Sequence, residues 1–182
     1  DVIIPFSVNS IQSNNIDDFD LSFLQMENDE KNIIYSPLSI KYALLMLNDA
    51  TTGDTNKEIS TLVGNYSPKT YVNSANMSFA NAMFVRDSYK NNIKEDYLTT
   101  LQTKYTAEII YDKFEKADAM NNWISDKTFK LLDNMLSDSD VTNLDFALVN
   151  ALAIDMEWTY KLSSSLSVSF AHENYDNYVG DV

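Results

Sequence analysis

Residues 144–158, LDFALVNALAIDMEW, alternate with period two, the repeat of a β-strand. Phe146, Leu148, Leu152, Ile154, Met156 and Trp158 share one face, while Ala147, Val149, Ala151 and Ala153 share the other, and Asn150 interrupts the face of large residues. The pattern predicts a strand from Leu144 to Trp158, about fifteen residues against a usual five or six. Both faces are apolar over most of its length, which places it in the middle of a large sheet.

Upstream, Ser74 to Val85 alternates in the same way, with Met77, Phe79, Asn81, Met83 and Val85 on one face. Ala107 to Tyr111 predicts a third strand, and Leu166, Val168 and Phe170 a further one after the Ser163–Ser165 run. Between them lie helical periodicities. Phe19, Phe23 and Met26 predict a helix capped by Asp17 or Asp18, followed by a short strand at Asn32 to Tyr35. Ser36-Pro37 opens another helix, with the hydroxyl as cap and proline in the first turn, where its missing N–H costs nothing. That helix, Pro37 to Leu47, is apolar nearly all round and so lies inside the molecule. Thr55 to Glu58 has capping-box spacing for a helix that stops at Gly64. Ile93, Tyr97, Leu101 and Tyr105 mark the next helix, and Ala117 to Leu136 a longer one with Met120, Trp123, Ile124, Leu131, Leu132 and Met135 facing inward. No repeat, linker or second domain interrupts residues 1–182.

Composition excludes several function classes. Acidic residues outnumber basic ones 27 to 13, a formal net charge of −14, so phosphate backbones and anionic headgroups are repelled. Neither nucleic acid nor membrane insertion is expected, since no run of about 18 apolar residues occurs. The absence of cysteine removes disulfides, thiolate metal sites and a cysteine nucleophile. Only three Gly and three Pro occur, and Asn takes over positive-φ and cap positions. The chain starts at Asp1 without a basic or apolar leader, as a processed start would, which is compatible with an extracellular or secreted protein.

Catalytic and metal chemistry find no support. His172 has Ser163, Ser164, Ser165 and Glu173 near it in sequence, but no nucleophile elbow surrounds any serine. Asp138-Ser139-Asp140 lacks the glycine and terminal glutamate of a calcium loop and reads as a solvated helix-end loop. No enzyme activity, metal or cofactor is expected, and the sequons at Asn65 and Asn76 carry little weight among so many Asn and Ser. Three polar residues demand explanation: Ser36 and Ser39 at an all-apolar helix, and Asn150 in an apolar strand. Unpaired, each would cost about 1–3 kcal/mol if buried, so they are expected to pair with one another or with shared partners beneath the sheet.

Four segments, in order, carry a family. NIIYSPLSIKYALLMLNDATTGDTNKEI (32–59), ANAMFVRDSYKNNIKEDYLTTLQTKYTAEIIYDKF (80–114), MNNWISDKTFKLLDNML (120–136) and LVNALAIDMEW (148–158) resemble the N-terminal half of the serpins. The resemblance implies an α+β fold: N-terminal helices packed on a large central β-sheet, one partial domain truncated before the reactive-centre loop. Ser36 and Ser39 match the serines of the family's S-P-x-S-I segment and Asn150 the asparagine of its V-N motif, which implies a structural role in the shutter where the sheet parts. Trp158 matches the breach tryptophan, where the reactive loop first enters. The helix 117–136 would cross the sheet and move when it expands. Two local departures are visible: the T-x-G-K segment appears as Thr128-Phe129-Lys130 without its glycine, and Ile154-Asp155-Met156-Glu157 replaces the usual pattern before Trp158.

The implied activity is inhibition of a serine or cysteine protease by loop insertion, with the bait loop outside these residues. The alternative is a non-inhibitory serpin-like interaction protein that binds a partner through an exposed sheet edge. Expected partners are a target protease for the intact inhibitor, a C-terminal serpin fragment or strand-like peptide, or a second copy by strand exchange.

Overall fold

The computed structural model describes residues 19–21, 35–157, 167–171 and 177–181. The helix cap at Asp17 or Asp18, most of the strand at 32–35, Ser163–Ser165, His172 and Trp158 lie outside the described residues, although 19–21 are helical.

Helix α1 spans Pro37–Asn48, with Ser36 as its cap: the hydroxyl accepts the Ser39 N–H at 3.2 Å. Helix α2 runs Gly53–Val63, and Thr52, not Thr55, stands at its cap position. Its end is where the sequence places it, at Gly64, whose φ of 69° suits a residue without Cβ. Strand β1 is Met77–Arg86, helix α3 Glu95–Tyr105, strand β2 Glu108–Asp112, helix α4 Asp118–Lys127, the one-turn helix α5 Asp138–Val141 and strand β3 Phe146–Ile154. Strands β4, Ser167–Ala171, and β5, Asn177–Asp181, form an antiparallel pair.

The principal sheet has the order β2-β1-β3, with β1 parallel to β2 and antiparallel to β3. Period-two alternation sends the two faces of β1 into different cores. Phe79, Met83 and Val85 join Tyr42 and Met46 of α1 and Leu98, Leu101 and Tyr105 of α3. Ala80, Ala82 and Phe84 join Met120 and Trp123 of α4, and the Phe84 and Trp123 rings meet edge to face at 6.0 Å. The sheet is thus covered by α1 and α3 below and by α4 above.

Two expectations require correction. The strand predicted over Leu144–Trp158 spans only Phe146–Ile154, and among the described strands it lies at an edge of the sheet. Its partner sets its length: β1 pairs from Met77 opposite Ile154 to Val85 opposite Phe146, and beyond it the Asp155 N–H closes on the Asn76 carbonyl at 2.7 Å. The helix predicted to reach Leu136 ends at Lys127. There the Lys130 N–H turns back to the Ser125 carbonyl at 2.7 Å, the six-to-one bond of a Schellman ending, with Phe129 and Lys130 at φ 53° and 62°. Leu131, Leu132 and Met135 consequently face outward, 63%, 42% and 56% exposed, instead of inward. Asn121 folds the segment back by exchanging two bonds, 2.8 and 2.9 Å, with the backbone of Leu136.

Candidate functional site: a polar seam between two strands

The β1–β3 register sets Asn81 directly opposite Asn150. Both lie on the α1 and α3 side, among Phe79, Met83, Leu148 and Leu152. The Asn150 amide donates to Asn81 Oδ1 at 2.8 Å, and Asn81 Nδ2 donates to the Tyr105 carbonyl at the end of α3, 2.9 Å away. Asn81 is 3% exposed, so this is a buried hydrogen-bond seam running from β3 through β1 to α3. Oδ1 of Asn150 is buried too, and among the described residues no donor reaches it.

The seam is anchored from below. Tyr105 donates its hydroxyl to Asp49 Oδ2 at 2.6 Å, and Lys104 reaches the same oxygen at 2.8 Å. Burial and the Asp49 carboxylate push the Tyr105 hydroxyl well above its ordinary range, so it remains a donor. Tyr97, pushed up to about 12 by burial and then by the Asp49 charge, donates to the Met46 carbonyl at 2.9 Å. Tyr42 gathers an aromatic cluster, with Phe79 at 4.7 Å and Tyr66, Tyr71 and Tyr105 each at 6.2 Å. Its hydroxyl accepts the Lys69 N–H at 2.7 Å and donates to the Lys69 carbonyl, which pins the irregular segment before β1 to the core.

The structure therefore divides the three polar residues. Ser36 and Ser39 meet each other at the start of α1, which packs against β3, whereas Asn150 is given to Asn81. Asn81 was legible by the same signal as Asn150, an amide interrupting an apolar alternation, and the two interruptions pair. Lys41 on α1 is a second missed residue: 3% exposed, its ammonium lies 2.8 Å from Asp20 and over the Phe19 and Tyr66 rings. The carboxylates of Asp138 and Asp140 serve as caps. Asp138 Oδ1 accepts the Ala117 N–H at 2.9 Å, and Asp140 accepts both the hydroxyl and the N–H of Ser137, which hold its carboxyl below the usual range. Chemically the seam is a hydrogen-bonding device. It lets two strands and a helix end be tied by amides instead of by apolar packing alone.

The comparisons with known proteins agree with this architecture. The family model described as "Serpin (serine protease inhibitor)" matches residues 14–174. Neuroserpin from Mus musculus is 30% identical over 153 residues, covering 71% of this chain and 36% of that protein. An uncharacterized serpin-like protein from Methanosarcina acetivorans is 26% identical over 181 residues, covering 85% of this chain and 42% of that protein. Among solved structures, cleaved Serpin 42Da superposes with a TM-score of 0.72 at 19% identity, over 87% of this chain and 48% of that one. The chain thus spans less than half the length of these relatives.

Proposed function

The chain belongs to the serpin family, and from that premise we propose that it is a partial domain of an inhibitor of serine or cysteine proteases that works by taking an inserted strand into its sheet. The observation that carries this reading is the outer edge of β3. Among the described residues that edge has no strand partner, while the other edge is fully paired to β1. Leu131, Leu132 and Met135 face outward from the segment that folds back after α4. A strand added beside Leu148 and Leu152 would pair the open N–H and C=O groups.

On this reading Ser36, Ser39 and Asn150 form the shutter and Trp158 the breach, as their positions in the family motifs suggest. Asn81 joins the shutter through Asn150. Strand addition at the outer edge of β3 leaves the Asn81–Asn150 bond in place, so the seam keeps β1 and β3 paired while the sheet expands beside them. Helix α4, packed across β1 and β3, is the element that must shift. The target is a protease met outside the cell. No described helix is long and apolar enough to cross a membrane.

The test is expression of the whole reading frame to which these residues belong, followed by incubation with a panel of serine and cysteine proteases. A covalent, detergent-resistant complex with one of them is expected. Proteases that all stay active and uncomplexed would reject inhibition and leave the second reading, an interaction protein that binds a strand-like partner at the same open edge.

A further inference from the structure

Residues 66–74, between α2 and β1, belong to no helix or strand, and no residue from 65 to 76 takes a positive φ. Exposure alternates at the middle of this connection: Thr70 and Val72 are exposed, and Tyr71 between them is partly buried. One side chain turned in with its neighbours turned out is the pattern of an extended chain. Val72 is 85% exposed, the most of any large apolar residue among those described. Exposed irregular connections of this kind are where proteases nick folded proteins.

Three residues here offer three different handles to a serine protease, whose pocket grips the side chain before the bond it cuts. Lys69 is the handle for a trypsin-like pocket. Its backbone is taken, because the buried Tyr42 hydroxyl accepts the Lys69 N–H at 2.7 Å and donates to the Lys69 carbonyl. A cleft that pairs with an extended substrate needs those same two groups. Tyr71 is the handle for an aromatic pocket, but its ring stands 4.8 Å from Phe79 and 6.2 Å from Tyr42 and would have to leave the core. Val72 suits a small aliphatic pocket, and among the described residues neither its N–H nor its carbonyl is hydrogen-bonded. The chain is anchored again directly after it, where Asn73 Oδ1 accepts the Phe79 N–H at 2.8 Å. The exposed run Leu131, Leu132 and Met135 offers no comparable backbone: Phe129, Lys130 and Asn134 are left-handed, and the Leu131 N–H returns to the Thr128 carbonyl at 2.8 Å.

We propose that the α2–β1 connection is a processing site, cut at Val72–Asn73 by a serine protease with a small aliphatic pocket. Water adds across that peptide bond, leaving a carboxylate on Val72 and an amino terminus on Asn73, and the protease is released. The site is therefore distinct from the bait loop of the inhibitory reading. The product is a two-chain molecule, residues 1–72 and 73–182, that stays assembled. Tyr42 and Met46 remain buried against Phe79, Met83 and Val85. Asp49 keeps Lys104 and Tyr105, at 2.8 and 2.6 Å, and Tyr97 keeps the Met46 carbonyl at 2.9 Å. The cut leaves the β1–β3 pairing intact, so it is separable from strand addition at the β3 edge.

The experiment digests the full 182-residue chain with small amounts of pancreatic elastase, trypsin or chymotrypsin. Mass spectrometry follows new amino termini at Asn73, Thr70 and Val72, one for each handle. Each rate is divided by that of a free peptide of residues 64–79 with the same protease, which cancels intrinsic preference. The elastase ratio should exceed the other two by about tenfold or more, since cleavage at the held sites waits for local opening. Tyr42→Phe keeps the ring but frees the Lys69 backbone, and should raise the trypsin ratio about tenfold with the elastase ratio unchanged. Val72→Asp, a change at an exposed position, should abolish the elastase cut. Circular dichroism establishes that each variant is folded, and if Tyr42→Phe is not, the three parental ratios decide alone. After the elastase cut the fragments should co-elute in size exclusion and separate only in detergent. Three equal ratios, an elastase ratio below either other, a folded Tyr42→Phe without effect on trypsin, or fragments that part in buffer would overturn the assignment.

Discussion

Asn81→Ala removes the middle of the buried seam and strands a group on each side of it. The Asn150 amide loses its acceptor at 2.8 Å and the Tyr105 carbonyl its donor at 2.9 Å. Each buried group left unpaired costs about 1–3 kcal/mol, so the substitution should destabilise the chain by about 2–6 kcal/mol. Asn150→Leu is the informative control. It strands Asn81 Oδ1 at a similar cost, but it also removes Oδ1 of Asn150, which is buried with no donor among the described residues. The two contributions oppose each other, and the net change should be within about 1 kcal/mol. The double variant should fall short of additivity by about 2 kcal/mol or more, because it contains neither the Asn150 amide that Asn81→Ala strands nor the Asn81 Oδ1 that Asn150→Leu strands. Urea unfolding followed by far-UV circular dichroism and tryptophan fluorescence measures all four corners of the cycle. An Asn81→Ala chain as stable as the parent, or an Asn150→Leu that costs more than Asn81→Ala, would refute the seam as drawn.

Other consequences are equally open to measurement. Lys130 is exposed and sits at φ 62°, where a side chain costs about 1–2 kcal/mol that glycine avoids; after glycine's added chain entropy, Lys130→Gly should raise stability by about 0.5–1 kcal/mol, and a lower melting temperature would contradict it. Burial raises the hydroxyls of Tyr42, Tyr66 and Tyr105, and Tyr97 to about 12. Since the folded state holds these protons beyond the ordinary value near 10, their contribution is complete below about pH 10 and is lost as pH rises through the folded values; urea midpoints should fall above about pH 10 as tyrosinate absorbance grows, and a flat profile counts against the burial of these rings. The 182 residues by themselves should form no detergent-resistant complex with serine or cysteine proteases, and any such complex would show that the bait lies within them. In physiological salt, where repulsion from the −14 charge is screened beyond about 8 Å, light scattering should find strand-exchanged dimers or capture of strand-like peptides. A monodisperse 20.7 kDa monomer that melts cooperatively and ignores such peptides would mean that the β3 edge is closed.

What the sequence could decide were properties carried by near neighbours in the chain. The α1 start at Ser36-Pro37 and the stop of α2 at Gly64 follow from local capping chemistry, and both stand where that chemistry puts them. The two-faced burial of β1 follows from its alternation, since period two separates Phe79 and Met83 from Ala80 and Ala82 whatever covers them. Asn150 was legible as a polar residue out of place, and so was Asn81. That they pair was not, because the β1–β3 register joins residues 69 positions apart and no local pattern encodes it. Helix α4 fails as a sequence reading for a related reason: apolar residues continue at helical spacing to Met135, but Thr128 bonds back to the Ile124 carbonyl at 2.7 Å and Phe129 takes the left-handed conformation without a glycine to announce it. Strand β3 shows the same division. Its alternation states which side chains share a face, but how long it runs and whether it lies at a centre or an edge depend on where β1 ends and on which other strands are present, and those are decided only when distant segments meet in the tertiary structure.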